Sequence, residues 1–322
     1  MYRNGFFFLL MSMLLSSCFF HHKPVAVSEK NVVPKRLHHV KLVKHCVSGF
    51  SQVKIEGHID ASVHSGYAKP MVILRGDPRD LQQVVVETHG DTLLVNMGAG
   101  YPRHGPVKAE IRTRYINYLA YDGVGNLSGT KLRSNDLILD LNNNGITNLD
   151  GYLMLRKLTV RGQGLYKIGG VHSQYLVVDI DEEARVEMRG NTNLNDLIVN
   201  GDGRFSLYWV KGPCLRVRAH GHPAIQLAGV VSKLDVELHD RAMFEGRYLR
   251  ADRVFAKTFD KSVARISAVH RQHTLASDQS DIYFYNLSEM RTDFMAYDGS
   301  VLDMRSWDLR GRKEYTYLNK WP

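Results

Sequence analysis

From residue 117 onward the chain returns every 18 to 21 residues to an apolar residue that opens a short alternating run. This recurrence constrains the fold more than any other feature. The series runs Leu119, Leu137, Leu158, Leu176, Leu197, Leu215, Leu234, Val254, Leu275 and Phe294, in steps of 18, 21, 18, 21, 18, 19, 20, 21 and 19. Runs such as Leu158-Thr159-Val160 and Leu215-Arg216-Val217 alternate apolar and polar residues, the period of a strand with one buried face. A turn residue follows six places after the anchor at Gly125, Gly164 and Gly203, and eight places after it at Gly145, Ala184, Pro223 and Ala242. A further six-residue step leads from Gly145 to Gly151, Gly164 to Gly170, Ala184 to Gly190 and Pro223 to Gly229.

Two strand-like runs divided by turns and repeated at this length make one rung of a parallel β-helix. A single rung cannot bury its apolar row, whereas a stack of rungs forms a continuous core. No helical period is sustained over the repeat, which argues against a leucine-rich repeat with helical backs. The expectation is an all-β chain, a parallel β-helix or single-chain β-solenoid over 117–310, with Leu158, Leu176, Leu197 and Leu215 in one inward column. Residues 48–116 are less regular. Val53-Lys54-Ile55, Met71 to Leu74, Val84-Val85-Val86, Leu93-Leu94-Val95 and Val107 to Ile111 read as strands that start the solenoid and cap its open end, which otherwise exposes unpaired backbone. Residues 311–322, aromatic-rich from Glu314 to Trp321, read as a last strand or a docking tail.

Upstream of these strands the chain carries an export signature. Arg3 precedes the apolar stretch Phe6 to Leu15, too short to span a bilayer, and Leu15-Ser16-Ser17-Cys18 places small residues before a cysteine. This context resembles the lipobox of bacterial lipoproteins. The resemblance implies a cleaved signal over 1–17 and an acylated Cys18 that takes membrane lipid as its partner. Phe19, where an inner-membrane retention Asp often stands, points to the outer membrane, facing periplasm or surface. Residues 18–47 carry six lysines and arginines against Glu29, five histidines, Pro24 and Pro34, and read as a basic, flexible tether. Cys46 and Cys214 lie far apart along such a rod, so two separate, mostly buried thiols are expected rather than a disulfide.

The formal charge of +9 favours anionic partners. No zinc-ligand spacing and no RNA-binding aromatic signature accompany it, so nucleic acid is not expected as a partner. The best cluster of chemistry is Asp179, Asp181, Glu182 and Glu183, with Arg161 and Gln163 one rung to one side and Asn200 and Asp202 to the other. It reads as an interaction patch set against the plainer alternative of solvated turn residues. Asn142, Asn143 and Asn144 read as a corner ladder that satisfies backbone donors, and His220-Gly221-His222 is too isolated for a metal site. No nucleophile elbow, phosphate loop or zinc-protease helix is present. The expectation is no catalytic residue, no cofactor, no metal and no small-molecule substrate.

The segment Gly49-Phe50-Ser51-Gln52-Val53-Lys54-Ile55-Glu56-Gly57, the turn Gly90-Asp91-Thr92-Leu93-Leu94-Val95 and rungs such as Leu158 to Gly164 resemble bacterial proteins with a head GIN domain, a family labelled auto-transporter adhesins. The resemblance covers roughly 48 to 310, with corner glycines replaced at Ala184, Pro223 and Ala242. It implies a β-helix in the cell envelope and brings no catalytic residues. The function expected is a non-catalytic scaffold that docks envelope protein partners, with an envelope-spanning secretion complex as one such setting. A surface adhesin or glycan-binding module is the alternative, and a polysaccharide-active β-helix enzyme a more distant one.

Overall fold

Inward and outward residues alternate through a single continuous ladder. The computed structural model describes residues 40–285 and 291–304; Cys18, most of the tether and the 311–322 tail lie outside the described residues. The chain is a β-solenoid of about 9 turns. Its body is built by the long strands β9 (Leu127–Asn143), β10 (Ile146–Arg161), β11 (Leu165–Ile180), β12 (Arg185–Gly201), β13 (Arg204–Gly221), β14 (Ala224–Leu238), β15 (Met243–Thr258) and β16 (Val263–Ser277). From β9 to β16 each pairs in parallel with the next. The last rungs are β17 (Asp281–Phe284), β18 (Arg291–Tyr297) and β19 (Ser300–Asp303).

The register differs from the expected one in an instructive way. Leu119, Leu139, Leu158, Val178, Leu197, Val217, Val236, Ala256 and Thr274 are ladder partners in turn, 18 to 20 residues apart. Leu137 pairs with Leu155, Leu176 with Leu194, and Leu215 with Leu234 and then Val254, in a second inward column two or three residues upstream. The single anchor column of the sequence is therefore two columns sampled alternately, which is why its steps swung between 18 and 21. Both positions face inward because side chains alternate with period two, so hydrophobicity alone cannot choose between them. Leu158, Leu176, Leu197 and Leu215 are all fully buried. Leu275, by contrast, sits half-buried beside its outward partners Lys257 and Met295, and Phe294 is 62% exposed.

The small residue that opens each rung keeps one column throughout. The amides of Leu165, Arg185, Arg204, Ala224, Met243, Val263 and Asp281 donate to the carbonyls of Gly145, Gly164, Ala184, Gly203, Pro223, Ala242 and Ser262. The apparent offsets of six and eight places came from the slipping anchor. Where the residue is serine, its hydroxyl serves the corner: Ser262 Oγ donates to Phe259 O at 2.8 Å and Ser280 Oγ to Ser277 O at 2.7 Å.

Each rung also bends more often than expected. Two runs were predicted per rung, but β10 passes through three segments, Ile146–Leu149, Gly151–Leu155 and Lys157–Arg161, with pairing shifts where it turns. Gly170, at the first bend of the next rung, has φ +65°, and a Cβ there would collide with the Gly151 carbonyl oxygen. Only glycine meets both demands without strain.

The beginning of the solenoid is out of chain order. β2 (Gln52–Glu56) and β3 (Asp60–His64) form a rung that pairs in parallel on one side with β6 (Thr92–Met97) and β7 (Lys108–Arg112), and on the other with β8 (Tyr118–Gly123) and β9. Beyond β6 and β7 the end is closed by antiparallel strands, β5 (Val84–His89) on β6 and β4 (Met71–Gly76) on β7. Antiparallel pairing breaks the solenoid's propagating edge. β1 (Lys41–Cys46) then pairs antiparallel with β4, so the segment expected to be a free tether up to residue 47 ends in a strand. A short helix α1 (Pro78–Leu81), capped by Asp77, carries the buried Asp80, which accepts from the amides of Arg103 (3.1 Å) and His104 (2.7 Å) and from His104 Nδ1 (2.9 Å). Those bonds outweigh the cost of burial and hold the Asp80 carboxyl below its usual range.

Candidate functional site

The acidic cluster lies where the third segment of β11 turns into the next rung. Asp179 and Asp181 both face outward and are half-buried, while Glu182 and Glu183 are exposed. Asp179 pairs with Thr159 and Ile198. Asp181 accepts from Asn200 Nδ2 at 2.9 Å, and its amide donates to Val160 O. Arg161, one rung back, gives its guanidinium to Asp140 at 2.7 Å. Glu182 adopts φ +66°, its carboxylate accepts the Gly162 amide at 3.0 Å, and its carbonyl accepts the Asp202 amide. Burial, with Asp181 alongside, pushes the Asp179 carboxyl up from its usual range. The four residues are thus brought together, flanked by Arg161 and Asn200 as expected, but Asp181 and Glu182 already serve neighbouring rungs.

The asparagines next to this cluster hold the corner. Asn143 is fully buried, donating to Gly125 O at 3.0 Å and Thr147 Oγ1 at 3.1 Å and accepting the Gly145 amide at 2.8 Å. Asn144 Oδ1 accepts the Gln163 amide at 2.9 Å. Under them Tyr166 donates to Asn143 O at 2.8 Å, and burial raises its hydroxyl to about 12. His220 stacks on His239 at 4.5 Å and His222 meets Asp202 at 2.9 Å. Among the described residues no three of His, Cys, Asp and Glu are placed to hold a metal ion. Cys46 and Cys214 are both free, the former exposed rather than buried because it ends the edge strand β1.

A second outward feature escaped the sequence reading. The six-residue step from Gly203, the counterpart of the steps to Gly151, Gly170, Gly190 and Gly229, lands on Trp209. Trp209 adopts φ +65° at that bend and is 60% exposed. Placing a bulky L-residue in this region costs about 1–2 kcal/mol, and an exposed indole recovers little of that through burial. Tyr208 beside it is 39% exposed, and Val230 on the next rung 43%. Three rungs earlier the same bend carries Tyr152, 49% exposed, with its ring 4.7 Å from that of His172. The signal was available as the one glycine step, among those running from Gly145 to Pro223, that ends on an aromatic residue. No helix among the described residues is long and apolar enough to cross a membrane.

A family model described as "Putative auto-transporter adhesin, head GIN domain" matches residues 49–287. The fold is similar to that of a "putative adhesin" from Parabacteroides merdae, at 14% identity, with 82% of this chain and 95% of that one covered and a TM-score of 0.45. A "putative adhesin" from Parabacteroides distasonis is similar at 12% identity, with coverage of 82% and 96% and a TM-score of 0.45. A "putative lipid binding protein" from the same species is similar at 13% identity, with coverage of 82% and 96% and a TM-score of 0.41. No curated protein matches the chain.

Proposed function

This chain belongs to the head GIN domain family of auto-transporter adhesins, and from that premise we propose that it is a non-catalytic, surface-facing binding rod. A signal over 1–17 is removed, Cys18 is acylated and holds the protein at the outer membrane, and the solenoid presents its outward corners to a macromolecular partner. The contact is the bend that carries Trp209 and Tyr208. The observation that supports this is the strained, exposed indole: its conformation costs stability and its exposure returns none, while Trp and Tyr are the residues that most often dominate binding interfaces. The acidic cluster around Asp179 and Asp181 lies on a different part of the rung and completes the surface rather than acting as a reaction centre.

Replacing Trp209 with glycine tests the assignment. Glycine suits φ +65°, so the variant is expected to match or exceed the parent in stability, within about 1 kcal/mol, while adhesion of cells displaying it falls. Unchanged adhesion at unchanged surface level overturns the assignment of this corner. Protease treatment of intact cells decides the orientation. Cleavage of the solenoid supports the adhesin reading; full protection, with a co-purifying envelope protein, replaces it with an internal scaffold.

A further inference from the structure

Lys233, Arg253 and Arg271 open the third segment of three successive rungs and are direct ladder partners, and the backbone of Arg291 continues the register. All three side chains are exposed. Neighbouring strands lie about 4.8 Å apart, so the cations stand in single file along the solenoid axis. Like charges facing each other across a ladder repel, and many of the protein's other outward arginines are neutralised across the ladder. Arg156, Arg161, Arg216 and Arg265 each meet a carboxylate from the preceding rung, Asp136, Asp140, Asp196 and Glu245. None of Lys233, Arg253 and Arg271 lies within ion-pair distance of a carboxylate among the described residues; the nearby Asp252 is turned to His270 at 3.5 Å. Beside the file stand Phe255 and His273, each two residues on from the cation of its own rung; their rings stack on each other at 5.1 Å with 15° between the planes, Lys233 Nζ sits 4.9 Å from the Phe255 ring centre, and His273 meets Asp293 at 3.3 Å.

We propose that this file of cations binds a linear acidic polysaccharide lying along the solenoid axis. Evenly spaced cations match a polymer that repeats an anionic group at each unit. A bare metal ion is repelled by such a file, and a lone phosphate is too short to span it. A nucleic acid is also a linear polyanion, but the export signature of residues 1–17 directs the chain away from it. The site goes beyond the adhesion reading, which rests on another corner and on assays of intact cells, so the two fail separately.

The test is binding of the full chain, purified in detergent, to polygalacturonate, with neutral dextran and a single-stranded oligonucleotide as comparisons. Polygalacturonate should bind with an affinity that falls steeply as salt rises, and neutral dextran should not. The triple variant Lys233→Gln, Arg253→Gln, Arg271→Gln should weaken binding at least tenfold while melting as the parent does. Removing the same charge elsewhere, with Lys69→Gln, Arg114→Gln and Arg133→Gln, should change it less than twofold. The proposal is overturned if the two triple variants behave alike, if dextran binds equally well, or if the oligonucleotide binds more tightly than polygalacturonate.

Discussion

The Asp179 carboxyl is held above its usual range by burial and by Asp181, and this has a definite sign. A carboxyl that binds its proton more tightly in the folded state costs stability once ionised. The cost is absent below the ordinary carboxylate range, grows as pH rises through it, and is complete above the raised folded value. Asp179→Asn is therefore expected to melt higher than the parent at neutral pH and level with it in strong acid, as thermal scans across pH would read. Asp80 behaves oppositely, since its carboxyl is held down, and its contribution is lost as pH falls through that lowered value. For the proposed lipid anchor, Cys18→Ser is expected to leave an uncleaved precursor that takes up no labelled fatty acid; normal processing would overturn the anchor. Residue types were legible here, but partners were not. The neighbours of Asp181 could be named because they sit one rung away in sequence, whereas the bond from Glu182 to the Gly162 amide depends on a φ of +66° that no pattern of hydrophobicity encodes.

The strand is the scale at which sequence and structure agree best and also slip. Anchor residues, turn residues and inward alternation were all legible, because a rung that repeats must repeat its apolar row. What could not be read was which of two inward positions stacks on which. That choice is made at the corners, where small residues such as Ala184 and Gly203 link carbonyl to amide. The stacking makes a quantitative prediction. Leu158→Ala should cost about 2–5 kcal/mol, whereas Thr159→Ala, on the outward side, should cost less than about 0.5 kcal/mol. Leu158 and Val178 are ladder partners, so truncating both should be non-additive; Leu139 and Val236 stand several rungs apart and their costs should sum. Denaturant unfolding of the single and double variants checks this. Additivity between Leu158 and Val178 together with coupling between Leu158 and Leu176 would reinstate the slipped register.

The whole molecule behaves as a stack whose members see only their neighbours. Residues 165–184 are one complete rung: Leu165 donates its amide to Gly145 O, and Arg185 donates to Gly164 O. Excising them presents Arg185 to the Gly145 carbonyl in the same geometry. The shortened chain is expected to fold with one fewer ladder interface and a modestly lower melting temperature, measured by circular dichroism. Removing 52–64 should instead abolish folding, because that rung is held on both sides, by β6 and β7 and by β8 and β9. This inverted order at the start was not legible, since repeat spacing reports succession along the chain and not neighbourhood in space. It carries a consequence for how the protein is made. A chain that emerges amino end first, from a ribosome or from a channel, delivers 52–64 with both edges bare, and the two flanks are fully covered only once residues 92–128 have followed. Assembly must therefore wait, and any chaperone guarding the emerging polypeptide has its critical interval there; after it, each new turn arrives on a finished template.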